Sequence, residues 1–375
     1  MRGLKSTLPA IRPVKLNAMA FLSAETFREI VSLQRRGMLA ATLRTLFSAA
    51  EPLYGAIVAR KNRRFDLGQL KPAKVNAPVI SVGNLTTGGT GKTPFVVWLA
   101  KWFLAHDRQI TLISRGYGKQ QGPNDEALEI AASLPDVPHL QNPDRVAAAN
   151  EALRASPGSV LILDDAFQHR RIARNLDIVL LDALEPFGYG HLLPRGLLRE
   201  PIASLARAQV VALSRSDAVS AERRAEIREI VAQHAPQADW LELTHEPVAL
   251  IDSTGHEEPL AAWRGKPLAA FAGIGNPAGF QYTLRHCGLT ISAWKEFADH
   301  QQYGATEQQA LSGWLSAQPS LAGVVCTHKD LVKLPQTAIS NLPLRALKIA
   351  LQITCGQDRL EQRLRDLVGQ ASCLS

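Results

Sequence analysis

Between the apolar run Val79-Ile80-Ser81-Val82 and a helix-forming stretch from Thr93 to about Ala105 lies the segment Gly83-Asn84-Leu85-Thr86-Thr87-Gly88-Gly89-Thr90-Gly91-Lys92-Thr93-Pro94. Gly88, Gly89 and Gly91 let a backbone curl so that its N–H groups converge on an anion at a helix N-terminus. In such a loop Lys92 reaches the β- and γ-phosphates of a nucleotide, and the Thr93 hydroxyl ligates Mg²⁺. Pro94 fits the first helical turn, where its missing N–H costs nothing. The strict pattern G-x-x-x-x-G-K-[ST] wants glycine at 86, where this chain has Thr. Context compensates for the departure: strand, glycine-rich turn and helix occur in the required order. A turn that merely joins strand to helix would not need Gly-Lys-Thr.

A phosphate loop also needs an acidic residue at the end of a neighbouring buried strand to hold the metal's water shell. Val160-Leu161-Ile162-Leu163-Asp164-Asp165 supplies two. The runs Ile110–Ile113, Ile178–Leu181 and Val210–Leu213 are short and apolar throughout, as parallel strands covered on both faces are. The pattern predicts a doubly wound α/β domain over 76–245 with a parallel sheet. A second set of runs, Leu268–Phe271, Leu321–Val325 and Leu347–Leu351, alternates with helical stretches at Glu307–Leu315 and Asp358–Val368, predicting a smaller α/β domain over 246–375. The boundary falls somewhere in 215–265.

At 375 residues the chain has room for two unequal cores, and a 46% hydrophobic, 20% charged composition excludes a disordered or fibrous chain. Its net charge of +8 is one-ended: residues 1–75 hold 14 Lys and Arg against 4 Asp and Glu, while the remaining 300 hold 28 against 30. That points to an anionic partner for the first segment. Within it, Leu39, Leu43, Leu46, Phe47, Leu53, Tyr54, Ile57 and Val58 recur at helical spacing, interrupted at Pro52, and abut Arg60-Lys61-Asn62-Arg63-Arg64. An apolar face beside a basic cluster fits an amphipathic helix lying in a lipid interface; a helix packed on its own domain fits the spacing equally well. Arg44 and Glu51 argue against a membrane span. Aromatic residues do not interleave the basic cluster, which argues against nucleic acid. Cys287, Cys326, Cys355 and Cys373 lack C-x-x-C spacing and read as reduced thiols, and residues 1–19 lack the apolar run of a signal peptide.

Separated motifs together resemble the tetraacyldisaccharide 4'-kinase family, which phosphorylates the lipid A disaccharide precursor in lipopolysaccharide synthesis. They are Val82–Pro94, Ser114-Arg115-Gly116-Tyr117-Gly118, Asp125-Glu126, Asp164-Asp165-Ala166-Phe167-Gln168-His169 and Leu193–Pro201. Further along come Ala272-Gly273-Ile274-Gly275-Asn276-Pro277, Phe297-Ala298-Asp299-His300 and Thr327-His328-Lys329-Asp330. Thr86 is itself similar to that family's loop. Departures stand at Asn124, Ala166, Gln301 and His328.

The resemblance implies an ATP- and Mg²⁺-dependent kinase acting at the cytoplasmic face of the inner membrane as a peripheral protein. Its implied partners are the lipid A precursor and surface lipids, without nucleic acid or an inferred protein partner. It implies Gly88, Gly89, Thr90, Gly91, Lys92 and Thr93 on the nucleotide, and Thr93, Asp164 and Asp165 about the metal. It further implies Asp125 as catalytic base with His300 as its orienter, Lys92 as a catalytic cation, and Arg145, Gln168, His169, Arg199 and Glu200 lining the acceptor side. The Asp125–His300 pairing requires the second domain to close over the first. Two rival readings remain on the residues alone. A regulatory GTPase would want an Asn-Lys-x-Asp strand end, which Ser214-Arg215-Ser216-Asp217 imitates poorly. A non-enzymatic surface binder would use only the basic first 75 residues.

Overall fold

The computed structural model describes residues 23–116, 125–275, 277–298, 301–318 and 320–372. Two helices, α1 (Ala24–Val31) and α2 (Met38–Asp66), precede the sheet. The first run then alternates β1 (Val79–Asn84), α3 (Lys92–Ala105), β2 (Ile110–Ser114), α4 (Asp125–Ser133), β3 (His139–Gln141), α5 (Arg145–Ala155), β4 (Val160–Asp164), β5 (Leu176–Asp182), β6 (Val210–Ser214), α6 (Ala221–His234) and β7 (Asp239–Ile251). The second run comprises β8 (Glu257–Pro259), β9 (Pro267–Ala272), α7 (Pro277–His286), β10 (Thr290–Glu296), α8 (Ala305–Ser316), β11 (Gly323–Thr327), α9 (His328–Leu331), β12 (Ala338–Ile339), β13 (Leu342–Cys355) and α10 (Gln357–Ser372).

The strands join in one sheet ordered β10-β9-β11-β13-β7-β6-β5-β1-β4-β2-β3, so the α/β class predicted from the apolar runs is the observed one. From β7 to β3 every neighbouring pair is parallel, as is each pair from β10 to β13. The two parallel halves meet where β7 and β13 run antiparallel along most of their length. The central strands β1, β2, β4 and β6 are buried at every position, which is why their sequences are apolar without alternation. Leu360 and Leu364 of α10 are wholly buried and pack with Phe95 and Phe103 of α3, so the last helix returns to the core of the first half.

One expectation is corrected. The helical spacing read as interrupted at Pro52 belongs to one unbroken helix, α2, which runs through that residue. Proline removes one backbone bond and crowds the preceding turn. Anchors on both sides offset this: the Glu51 carboxylate accepts from Leu192 N at 2.8 Å, and the Tyr54 hydroxyl donates to Arg199 O at 3.0 Å. The outer side of α2 leaves Met38, Leu39, Leu46, Leu53 and Ile57 exposed. Among the described residues no helix is long and apolar enough to cross a membrane.

Candidate active site

The glycine loop leaves β1 at Asn84 and enters α3 at Lys92. Gly91 caps that helix in the left-handed conformation (φ 76°, ψ 23°), which an L side chain would strain, and Gly88 sits at φ +125°. A Cβ on Gly89 would meet nothing of the described residues within 4 Å, which leaves this stretch of backbone open to a ligand on their side. The loop is held in shape from two sides. Asn84 Nδ2 donates to Thr86 O at 2.7 Å; Thr87 N donates to Leu197 O and Arg199 N to Leu85 O, both at 2.8 Å.

The acidic turn lies beside it. Parallel pairing of β1 with β4 puts Asp164 opposite Val82, and Ala166 N donates to Val82 O at 3.3 Å. Asp164 is buried, whereas Asp165 turns back at φ +50° toward the loop. There its carboxylate accepts two bonds from Arg199 Nη1, each 2.9 Å, and lies 3.5 Å from the Lys92 ammonium. Burial alone would raise the Asp165 carboxyl, but the Lys92 and Arg199 cations outweigh it and hold the group below the usual carboxylate range.

The following residues form one wall. Gln168 Nε2 donates to Asn84 O at 2.7 Å, while Gln168 O accepts from Lys61 Nζ at 2.9 Å. Among the described residues His169 Nε2 is buried without a hydrogen-bond partner, and its imidazole is pushed down to about 4 by burial and by the cations Arg145, Lys61, Arg171 and Arg174. It is therefore neutral near pH 7. Arg145 opens α5, almost wholly buried, with Nη1 3.3 Å from Asn142 O and Nη2 3.5 Å from Asp164 O. Arg199 and Glu200, adjacent in sequence, diverge: Arg199 serves Asp165, while buried Glu200 pairs with Arg207, whose guanidinium lies 4.3 Å above the Phe167 ring.

The structure thus brings Gly88–Thr93, Asp164, Asp165, Arg145, Gln168, His169 and Arg199 around one end of the sheet. Asp125 opens α4, and His300 lies outside the described residues. The two halves touch near this region, where α9 meets α4 and His328 Nδ1 is 3.9 Å from Glu129 Oε1. Sequence reasoning missed Tyr54, Lys61 and Arg207 as supports of the walls. Lys61 stood in the basic cluster and carried a signal, read only as surface charge; Tyr54 and Arg207 carried none, because their partners are more than a hundred residues or a whole turn away.

A phosphate loop, an acidic strand end in register with it and converging cations on a doubly wound sheet define the P-loop class of phosphate-transferring nucleotide binders. Within that class, the family model for tetraacyldisaccharide-1-P 4'-kinase (LpxK) matches residues 43–369. The tetraacyldisaccharide 4'-kinase of Anaeromyxobacter dehalogenans strain 2CP-C is 36% identical over 351 residues, covering 88% of this chain and 92% of its own. That of Geobacter sulfurreducens is 35% identical over 345 residues, covering 87% and 94%. The crystal structure of LpxK from Aquifex aeolicus in complex with ATP superposes with a TM-score of 0.71 at 28% identity, covering 87% of this chain and 99% of that one. The chain belongs to the tetraacyldisaccharide-1-P 4'-kinase family.

Proposed function

We propose that this chain transfers the γ-phosphate of ATP to the 4'-hydroxyl of a tetraacyldisaccharide 1-phosphate, the lipid A precursor. The observation that carries the reading is the closeness of the two segments: the strand register that puts Asp164 opposite Val82, and the 3.5 Å approach of Lys92 to Asp165, bring glycine loop and acidic turn near enough to share one triphosphate. Phosphoryl transfer is mostly positioning and charge neutralisation. The loop amides hold the β- and γ-phosphates, Lys92 turns its ammonium from Asp165 to phosphate oxygens, and Arg199 supplies a planar fork that matches a phosphoryl group. Neutral His169 and Gln168 offer hydrogen bonds on the acceptor side.

The donor set fits a hard divalent ion. The Thr93 hydroxyl at the start of α3 and the Asp164 carboxylate are oxygen ligands, and among the described residues no group of three or more His, Cys, Asp and Glu builds an all-protein metal cage. A Mg²⁺ ion held by Thr93 and Asp164, with Asp165 behind, would draw its other ligands from phosphate and water and neutralise charge on the leaving oxygens. Asp125 takes the proton of the acceptor hydroxyl and His300 orients it, a role that needs the 246–375 unit seated against the 76–245 unit. The apolar outer side of α2, ending in Arg60, Arg63 and Arg64, rests on anionic lipid at the cytoplasmic face of the inner membrane, where the acceptor resides.

Labelled ATP, Mg²⁺ and a tetraacyldisaccharide 1-phosphate in mixed micelles, followed by thin-layer separation, test the activity. Label appears in the acceptor with wild type, and Asp125→Ala nearly abolishes it while leaving ATP affinity nearly intact. An unlabelled acceptor with folded wild-type protein sinks the proposal.

A further inference from the structure

The mouth of the phosphate loop carries a cation that no motif announces. A Cβ placed on Gly88 would run into Nη2 of Arg28, so the guanidinium of this α1 residue lies directly on the first glycine of the loop. It is held there by its helix. Ser23 caps α1 by accepting from Thr26 N at 3.1 Å, and Phe27, Ile30 and Val31 are buried on one side of it. Phe27 and Val31 pack with Leu197 against Phe47, Tyr189 and Leu193. Leu197 O in turn accepts from Thr87 N at 2.8 Å, so the docking point of α1 and the loop residue before Gly88 move as one. Arg195 Nη1 and Arg44 Nη1 close the C-terminal end by donating to Val31 O and Ile30 O, each at 3.4 Å.

Two further observations bear on what Arg28 does there. No carboxylate of the described residues forms an ion pair with it, whereas Arg199 across the site is engaged by Asp165. Also, α1 lies ahead of residue 43, where the match to the family model begins. A phosphate loop turns its early glycines toward the terminal phosphate, and an uncommitted arginine at that position meets the oxygens on which charge develops during transfer.

We infer that Arg28 is a catalytic arginine supplied in cis, its guanidinium donating to the phosphoryl group in flight. The inference rests on the phosphotransfer reading above. In the step it serves, the acceptor oxygen forms a bond to the γ-phosphorus and the bond from that phosphorus to the β–γ bridging oxygen breaks. ADP leaves with the electron pair, and the acceptor's proton passes to the carboxylate base. Arg28 exchanges no proton; it stabilises the equatorial oxygens. The glycine at 88 follows from the same arrangement, since any side chain there would displace the guanidinium as well as strain the backbone.

The test compares wild type with Arg28→Ala and Arg28→Lys in two measurements. In the labelled-transfer assay, Arg28→Ala lowers kcat by on the order of a hundredfold with KM for ATP changed by no more than about twofold, and Arg28→Lys recovers part of the loss. By calorimetry, MgADP binds all three alike, but the tighter binding that aluminium fluoride confers on MgADP in wild type, as a mimic of the phosphoryl group in flight, is lost in Arg28→Ala. Arg28 is exposed, and equal melting midpoints exclude a folding cause. Unchanged kcat with an undiminished aluminium fluoride effect overturns the inference, as does a rise in kcat, which would make Arg28 a plug in the loop. Absence of transfer by wild type would instead count against the proposed function itself.

Discussion

Removing the charge of Asp165 while keeping its shape, as Asp165→Asn does, has an effect that depends on what else is bound. The side chain faces two cations, Lys92 at 3.5 Å and Arg199 at 2.9 Å, and all three side chains are at least three-quarters buried. At 3.5 Å and an effective dielectric constant of about 20, one such pair is worth roughly 5 kcal/mol before desolvation is counted. Most of that is offset by the cost of burying the ions, so the net loss on neutralising the shared partner is about 2–3 kcal/mol. For a chain of this size it lowers the melting midpoint by about 3–4 °C.

A bound polyphosphate supplies the missing negative charge, and the two cations then have no competing carboxylate. With EDTA present, so that no divalent ion contributes, ADP therefore binds Asp165→Asn more tightly than wild type, by about tenfold, and raises its melting midpoint further. With Mg²⁺ and the lipid acceptor the same variant turns over more slowly, because Arg199 is no longer held. Differential scanning fluorimetry with and without ADP, and calorimetry in EDTA, read both effects. Weaker metal-free ADP binding by the variant at an unchanged midpoint would refute the claim that Asp165 competes with phosphate for these cations.

The exposed face of α2 and the buried imidazole of His169 each have a measurable consequence. Leu53→Ser combined with Ile57→Ser, at positions 68% and 61% exposed, weakens co-sedimentation with anionic vesicles by about tenfold or more without lowering the melting midpoint; equal sedimentation would remove α2 as the lipid-facing element. His169, pushed down to about 4 in the fold against 6.5 in the unfolded chain, leaves the unfolded state holding more protons between those values, so stability falls as pH drops from about 6.5 to about 4. Discounted for the ring's partial exposure this limb is worth about 1–2 kcal/mol, and His169→Gln flattens it in urea titrations at a series of pH values; an identical pH slope in the variant would exclude His169 as its source.

The parts of this molecule that could be read from the chain are those whose cause is local. The glycine loop, the paired acids and the apolar strands announce themselves because strand, turn and helix N-terminus lie within about fifteen residues of one another. The pairing of β7 with β13 brings Thr244 opposite Gln352 and has no local signature; the apolar run Leu347–Leu351 marks only part of β13, and no such run marks β7, whose sequence mixes polar and apolar residues. The walls of the site escaped for the same reason. Tyr54 and Arg199, or Lys61 and Gln168, meet only after more than a hundred intervening residues have folded. Pro52 misled in the opposite direction, because a strong local rule against proline in a helix was overridden by anchors from the 191–199 segment.

Asp330 shows the same division inside a motif that was legible. Thr327-His328-Lys329-Asp330 resembles the family as a string, yet what the string does emerges only from the fold. The Asp330 carboxylate is wholly buried and accepts from Gly273 N at 3.2 Å, from the Tyr303 hydroxyl at 2.8 Å and from Thr327 Oγ1 at 2.6 Å. Lys333 Nζ adds a bond to Gln301 O at 3.0 Å. One short helix therefore ties the end of β9 and the 301–303 segment together, and its exposed side, through His328, faces Glu129 on α4. A carboxylate with that many donors cannot be replaced without leaving buried N–H and O–H groups unpaired, a penalty of about 1–3 kcal/mol for each. The requirement for aspartate at 330 is thus one of geometry at the junction of the two halves rather than of chemistry on a phosphate.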